Sequence, residues 1–193
     1  MLEVGIDEAG RGCLLGPVCV AAVIWPNDEP DNTYEIKDSK KISEKKRYEL
    51  RDYIIDNAIS YSVQFVSIEE IDKYNILQAT IRGMHRCIDQ IRETIEIDTL
   101  LIDGDRFKTY MNHDFETVPH YCIVNGDNTY KSIAAASILA KTFRDDYIKD
   151  LVKMNTELEK YGLLTNKGYG TKIHKEALKL YGQTEYHRKS FKM

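Results

Sequence analysis

The segment Leu2-Glu3-Val4-Gly5-Ile6-Asp7-Glu8-Ala9-Gly10-Arg11-Gly12 decides how the rest of the chain is read. Residues 2–6 have the character of a short strand running into two acids. The glycines at 10 and 12 then break regular structure, because glycine accepts backbone angles closed to other residues. The next apolar run, residues 18–25, is nearly continuous, the mark of a strand covered on both faces. Residues 99–102 repeat the first pattern: Thr-Leu-Leu-Ile empties into Asp103-Gly104-Asp105. Residues 61–68 alternate enough for a strand, and residues 118–124 form a weaker one whose Pro119 suits a sheet edge.

Helical spacing fills the gaps between these strands. Ser43 is a good N-cap for a helix carrying Leu50, Ile54, Ile55 and Ala58 on one face. Residues 75–95 predict a long helix with Ile76, Ala79, Ile81, Met84, Ile88 and Ile91 turned to the core. Asn125-Gly126-Asp127-Asn128 turns the chain into a small-residue helix at 133–140, whose alanines imply close packing on a sheet. A separate helical region at 147–161 follows, then a Gly168-Tyr169-Gly170 turn and a short helix at 172–180. Strands interleaved with helices mean an α/β fold in one domain over residues 1–193, with residues from about 148 onward as a C-terminal helical extension.

Composition narrows the function classes. The 193 residues are 42% hydrophobic and 30% charged, ordinary values for a globular chain. No run of roughly 18 apolar residues exists to span a membrane, and the first residues show no secretory leader. A cytoplasmic protein is expected. The four cysteines (Cys13, Cys19, Cys87, Cys122) have no zinc-type spacing and are expected as free thiols, mostly buried. A net charge of −4 argues mildly against a nucleic-acid partner, but basic residues cluster at Lys37, Lys40, Lys41, Lys45, Lys46 and Arg47 and again from Lys167 to the end.

The acids carry the chemistry. Asp7-Glu8 and Asp103 stand at the C-terminal ends of two buried strands, where α/β sheets place their ligands. Asp127 at a helix start can join them. Like charges gathered there repel, and a divalent cation removes the repulsion. All-oxygen ligands suit Mg²⁺ or Mn²⁺, and two such ions can clamp the attacking and leaving oxygens of a phosphodiester. Strand alternation sets a condition: Asp7 and Glu8 share one ion only if the strand is already ending there. By the same alternation Asp105 shares a face with Asp103 and is a competing candidate.

Ordered segments along most of the chain resemble the ribonuclease HII family. They include Gly5-Ile6-Asp7-Glu8-Ala9-Gly10-Arg11-Gly12, Asp38-Ser39-Lys40-Lys41, Ile102-Asp103-Gly104 and Gly126-Asp127. Ser132-Ile133-Ala134-Ala135-Ala136-Ser137, Arg144-Asp145, Gly168-Tyr169-Gly170-Thr171 and His187-Arg188-Lys189-Ser190-Phe191 continue the series. The resemblance implies a ribonuclease-H-like fold: a central mixed five-stranded sheet flanked by helices, with the first strand in the middle. It implies an endonuclease that cuts 5′ to a ribonucleotide in RNA–DNA hybrids and in duplex DNA, leaving 3′-hydroxyl and 5′-phosphate ends. A role in ribonucleotide removal from DNA and a monomeric state follow from the same likeness.

Carried over residue by residue, the metal ligands are Asp7, Glu8, Asp103 and Asp127, with Asp145 a nearby competitor for the fourth place. Asp7 would bridge two ions, and Glu8 would act partly through its main chain. Gly10, Arg11 and Gly12 would read the RNA–DNA junction, and Tyr169 would pack on the sugar that follows. Lys40, Lys41 and Lys141 would bind phosphates, with Arg188 and Lys189 extending that surface. His174 is read as capping or packing, with a general-acid role the lesser option. Cys13-Leu14 and Asn125 depart from the commoner family pattern. Two alternatives stand beside this reading. A ribonuclease HIII would carry Lys at position 11 and a further N-terminal domain, and a silent hybrid-binding module would lack a metal ligand. A phosphate-loop nucleotidase is set aside, because residues 10–12 do not fit that loop.

Overall fold

A computed structural model describes residues 1–27, 36, 42–112 and 114–191. Lys40 and Lys41 lie outside the described residues. Five strands, β1 (Glu3–Ala9), β2 (Val18–Ile24), β3 (Ser60–Val66), β4 (Thr99–Asp103) and β5 (His120–Ile123), form one mixed sheet in the order β3-β2-β1-β4-β5. β1, in the middle as expected, runs antiparallel to β2 and parallel to β4. β5 closes the edge at the position that Pro119 implies.

The helices are α1 (Glu44–Asn57), α2 (Ile68–Tyr74), α3 (Ile76–Arg92), α4 (Lys131–Met154), α5 (Leu163–Asn166) and α6 (Lys172–Tyr181). α3 covers one face of the sheet, burying Ala79, Met84, Cys87, Ile88 and Ile91 against Val4, Ile6, Val20 and Ala22. α4 covers the other with Ala134, Ala135, Ala136 and Ile138, backed by Leu50 and Ile54 of α1. A third cluster joins Leu15 to Ile148, Leu151, Leu158, Tyr161, Leu163 and Leu178, so the C-terminal segments pack on the end of α4 and on the loop after β1.

Two elements differ from the sequence reading. The helices expected at 133–140 and 147–161 are one 24-residue helix, α4, followed by a 3-10 segment at Thr156–Tyr161. The polar residues Arg144 and Asp145 between the two expected helices are both buried and partnered, so the helix runs through them. α2 is the element not expected. Its signal was present as Ser67-x-x-Glu70: the Ser67 hydroxyl accepts from the Glu70 amide at 3.2 Å, and the Glu70 carboxylate accepts from the Ser67 amide at 3.0 Å. Of the cysteines, Cys13, Cys19 and Cys87 are buried and Cys122 is exposed; all are free.

Gly5 sets how closely α4 approaches the central strand. A Cβ there would lie 2.2 Å from the Ser132 carbonyl carbon and 2.3 Å from the Ile133 nitrogen, both backbone atoms that cannot swing aside. Gly5→Ala is therefore expected to cost at least about 3 kcal/mol, the upper end of overpacking penalties. Equilibrium denaturation measures this, and an unchanged midpoint would contradict the close contact.

Candidate active site

β1 and β4 pair in parallel up to Ile6↔Ile102, which sets Asp7 and Asp103 side by side as the two strands leave their ladder. The strand does not end at Asp7. β1 continues against β2 through Ala9, so Asp7 and Glu8 alternate in the ordinary way and the condition of an early strand ending is not met. Asp7 lies on the α4 side, where Ser137 hydrogen-bonds its carboxylate. Both acids nevertheless line one cavity of about 250 Å³ at the sheet's rim, together with Asp103, residues 10–12, Lys141 and Tyr169.

Burial, then the negative charges of Glu8 and Asp103, push the Asp7 carboxyl well above the usual carboxylate range. The Ser137 hydroxyl and the Glu8 amide, which donates to Asp7 Oδ1 at 2.7 Å, oppose that shift. Glu8 is paired with Arg11 at 3.1 Å. Asp103 Oδ1 accepts the Gly126 amide at 2.8 Å, tying β4 to the 3-10 turn Gly126–Asn128. Asp127 is buried in that turn, next to the residue that bonds Asp103, with its Oδ1 accepting from Asn128 at 3.0 Å. The structure thus gathers Asp7, Glu8 and Asp103 around one cavity, with Asp127 in the adjoining turn and outside the cavity lining. Among the described residues no three Asp, Glu, His or Cys side chains form a ready-made metal cage.

The competing acids have other work. Asp105 is exposed and faces Arg106 at 3.6 Å. Asp145 is buried with Lys141 Nζ at 2.5 and 2.7 Å, which leaves it as that lysine's counter-ion. Lys141 lines the cavity as expected. Asn125 adopts a left-handed φ of 57°, a conformation that asparagine tolerates better than lysine. Cys13 is buried, its thiol 3.6 Å from the Lys167 carbonyl and hydrogen-bonded with the Tyr169 side chain; burial pushes both groups' pKa up.

Arg188 is the main correction. Expected on a phosphate-binding surface, it is 0% exposed, with its guanidinium donating to the carbonyls of Gly10, Arg11 and Gly16 at 2.8 Å each. Its basic neighbours in sequence made it look like surface, but a fully buried guanidinium spent on three backbone oxygens presents no face to a phosphate. Arg144, which the sequence reading gave no role, is a second such strut. It donates to Pro17 at 3.0 Å, Leu15 at 3.0 Å and Lys167 at 2.7 Å. It presses so close that a Cβ on Gly10, whose φ is +91°, would lie 1.9 Å from its Nε. His174 is buried, with both ring nitrogens hydrogen-bonded, and it packs. Tyr169 is 42% exposed, and its ring stands 3.9 Å from where a Gly12 side chain would begin.

A mixed five-stranded sheet with acids at the ends of its central parallel strands defines a nuclease of the ribonuclease-H-like class. The family model for ribonuclease HII matches residues 4–193. Ribonuclease HII of Parabacteroides distasonis is 52% identical over 190 residues, covering 98% of this chain and 89% of that protein. The Bacteroides fragilis enzyme of the same name is 48% identical, covering 100% and 90%. Among solved structures, the ribonuclease HII in a complex with PCNA from Archaeoglobus fulgidus superposes with a TM-score of 0.80 at 25% identity, covering 100% of this chain and 96% of that one. The chain belongs to the ribonuclease HII family. It is an endoribonuclease acting on RNA–DNA hybrids, in a family that depends on divalent metal. No helix among the described residues is long and apolar enough to cross a membrane.

The buried position of Arg188 gives a test that separates strut from phosphate ligand. Arg188→Met should lose about 2–4 kcal/mol of stability, since it leaves three buried carbonyls without their donor. The salt dependence of substrate binding should keep its slope, whereas loss of a phosphate contact would reduce that slope by about 1.

Proposed function

We propose that Asp7, Glu8, Asp103 and Asp127 hold a pair of divalent cations, Mg²⁺ or Mn²⁺, beside a ribonucleotide junction, and that the enzyme cuts on its 5′ side. The products are a 3′-hydroxyl and a 5′-phosphate. The observation that carries the reading is the register that sets Asp7 beside Asp103 in a cavity also lined by residues 10–12 and Tyr169.

The donor set fits hard cations: every ligand offered is a carboxylate oxygen. Asp7, whose pKa is raised by burial and two neighbouring acids, ionises at lower cost beside positive charge. When bound, such ions supply Lewis-acid stabilisation of the attacking and leaving oxygens of the phosphodiester. The protein supplies placement. Arg188 holds the carbonyls of Gly10 and Arg11 inward. In a trans peptide the following N–H points the opposite way, so the Arg11 and Gly12 amides are aimed at the cavity side. Those amides, with no side chain at 12 to obstruct them, suit a 2′-hydroxyl, which both donates and accepts. The Tyr169 ring beside that loop suits a deoxyribose and crowds a 2′ substituent. Lys141 brings positive charge to the phosphate path, steadied by Asp145.

The enzyme is proposed to work as a monomer in the cytoplasm, on RNA–DNA hybrids and on ribonucleotides embedded in duplex DNA. Its C-terminal segment from about 148 acts as part of one domain. The apolar cluster from Leu15 to Leu178 supports that unity, and three buried free thiols suit a reducing compartment.

A duplex DNA with one internal ribonucleotide, incubated with Mg²⁺ or Mn²⁺, should be nicked on the ribonucleotide's 5′ side; an intact duplex would overturn the reading. Asp103→Asn should lower cleavage by about 10³-fold or more while substrate binding stays measurable. Asp7→Asn should do the same, yet raise stability in chelator by on the order of 1 kcal/mol, or roughly 2–4 °C in Tm for a chain of this size. A destabilised Asp7→Asn would contradict the like-charge strain.

A further inference from the structure

His187, His174 and the Tyr169 carbonyl lie in one line of hydrogen bonds that the reaction described above does not use. The Thr184 amide donates to His187 Nδ1 at 2.9 Å. A backbone N–H can only donate, so His187 Nδ1 carries no proton. The neutral ring therefore holds its proton on Nε2, which stands 3.1 Å from His174 Nε2. His174 Nε2 must then accept, which places the His174 proton on Nδ1, 3.0 Å from the Tyr169 carbonyl. That carbonyl can only accept, and the chain of constraints closes from end to end. Adding a proton to either ring would set two N–H groups face to face. Both rings are buried, and the groups packed around them are the Tyr161 ring, at 5.9 and 5.0 Å, and the Thr184 hydroxyl, at 2.9 Å from His187 Nδ1. Desolvation pushes His187 down to about 4, in keeping with a neutral pair.

The far end of this line is the place where positioning is needed. Tyr169 sits between Gly168, at a φ of +90°, and Gly170; a bridge to Cys13 and its amide's bond to the Asn166 carbonyl at 2.9 Å hold one side of it, and its carbonyl is the other point of attachment. Its carbonyl also accepts the Thr171 amide at 2.8 Å, which anchors the same oxygen to the start of α6. The next residue after His187 is Arg188, which grips the carbonyls of Gly10 and Arg11 in the neighbouring loop. A bridge between Leu15 and His187, and the Gly16 amide bonded to the Tyr186 carbonyl at 2.9 Å, fasten the same turn to the loop after β1. Two adjacent residues thus tie the Tyr169 turn and the Gly10–Gly12 loop, which meet at the Cys13–Tyr169 bridge, to one segment.

We propose that His187, acting through His174, is a positioning residue: the pair forms a tautomer-locked relay that fixes the Tyr169 backbone and so sets the preference for a ribonucleotide junction over a continuous hybrid. The proposal rests on the reading of Tyr169 as the group that meets the sugar beyond the junction. His187 touches no substrate in this scheme.

The direct test is a long-range ¹H–¹⁵N spectrum of the full chain at about pH 7, where unperturbed histidine is mostly neutral. His187 should be protonated on Nε2 alone and His174 on Nδ1 alone; any other pair of tautomers overturns the relay. Kinetics give the second readout. His187→Phe keeps a ring but has no donor for His174, and kcat/KM on a single-ribonucleotide duplex should fall roughly tenfold further than on a long hybrid, the worth of one good hydrogen bond. His187→Gln, whose amide can donate to His174 Nε2, should recover most of that selectivity. Equal losses on both substrates, or a Gln variant no better than Phe, would overturn the positioning role. In a Tyr169→Ala background, His187→Phe should bring no further loss of selectivity, and an additional loss would also overturn it. Tyr169→Ala alone checks the underlying reading: unchanged selectivity there removes the sugar contact, while the tautomers still report on the relay by themselves.

Discussion

A guanidinium taken out of water must give its N–H groups to something, and that demand shapes the loop on which this enzyme depends. Arg144 and Arg188 are both buried and both spend their donors on backbone carbonyls: Pro17, Leu15 and Lys167 for the first, Gly10, Arg11 and Gly16 for the second. Neither uses a carboxylate for this. The result is a glycine-bearing loop held from behind by charge-assisted hydrogen bonds, with its amide side facing the cavity. A loop of that composition has little rigidity of its own, so the arginines replace the side-chain packing that glycine cannot provide.

The acids obey a second constraint. Parallel pairing between β1 and β4 brings two carboxylates to the same rim, where burial and mutual repulsion work against ionisation. The fold tolerates this because α4 lies hard against β1 at Gly5 and supplies Ser137 to the Asp7 carboxylate. Stability gained by packing alanines and a glycine together is what allows a costly charge arrangement at the strand ends. The same helix carries Arg144 and Lys141, so one element packs the sheet, braces the loop and brings a cation to the cavity.

Much of this was legible in the sequence, for reasons that are local. Asp7, Glu8 and Asp103 announce themselves because each ends an apolar run, and strand length and burial can be read within a few residues. The order of the sheet, with β1 central, came from the family resemblance and is what the strand pairing displays. What escaped was non-local. Arg188 sits among lysines, and nothing near it reveals that its partners lie at residues 10, 11 and 16. Ser137 reads as one small residue among alanines, although it reaches Asp7. Arg144-Asp145 gives no local sign of its partners either: both side chains are satisfied inside, one on distant carbonyls and the other on Lys141. α2 is a different case: its Ser67–Glu70 capping box was readable and was absorbed into the preceding strand.

The bond between Arg188 and the Gly10 carbonyl spans 178 residues. During synthesis at about 5–20 residues per second, the loop would emerge roughly 9 to 36 seconds before the arginine that braces it. Through that interval the ribosome-bound chain has its first acids but no finished wall beside them. In a nuclease arranged in this way, the wall beside the acids is braced only once residue 188 has left the ribosome.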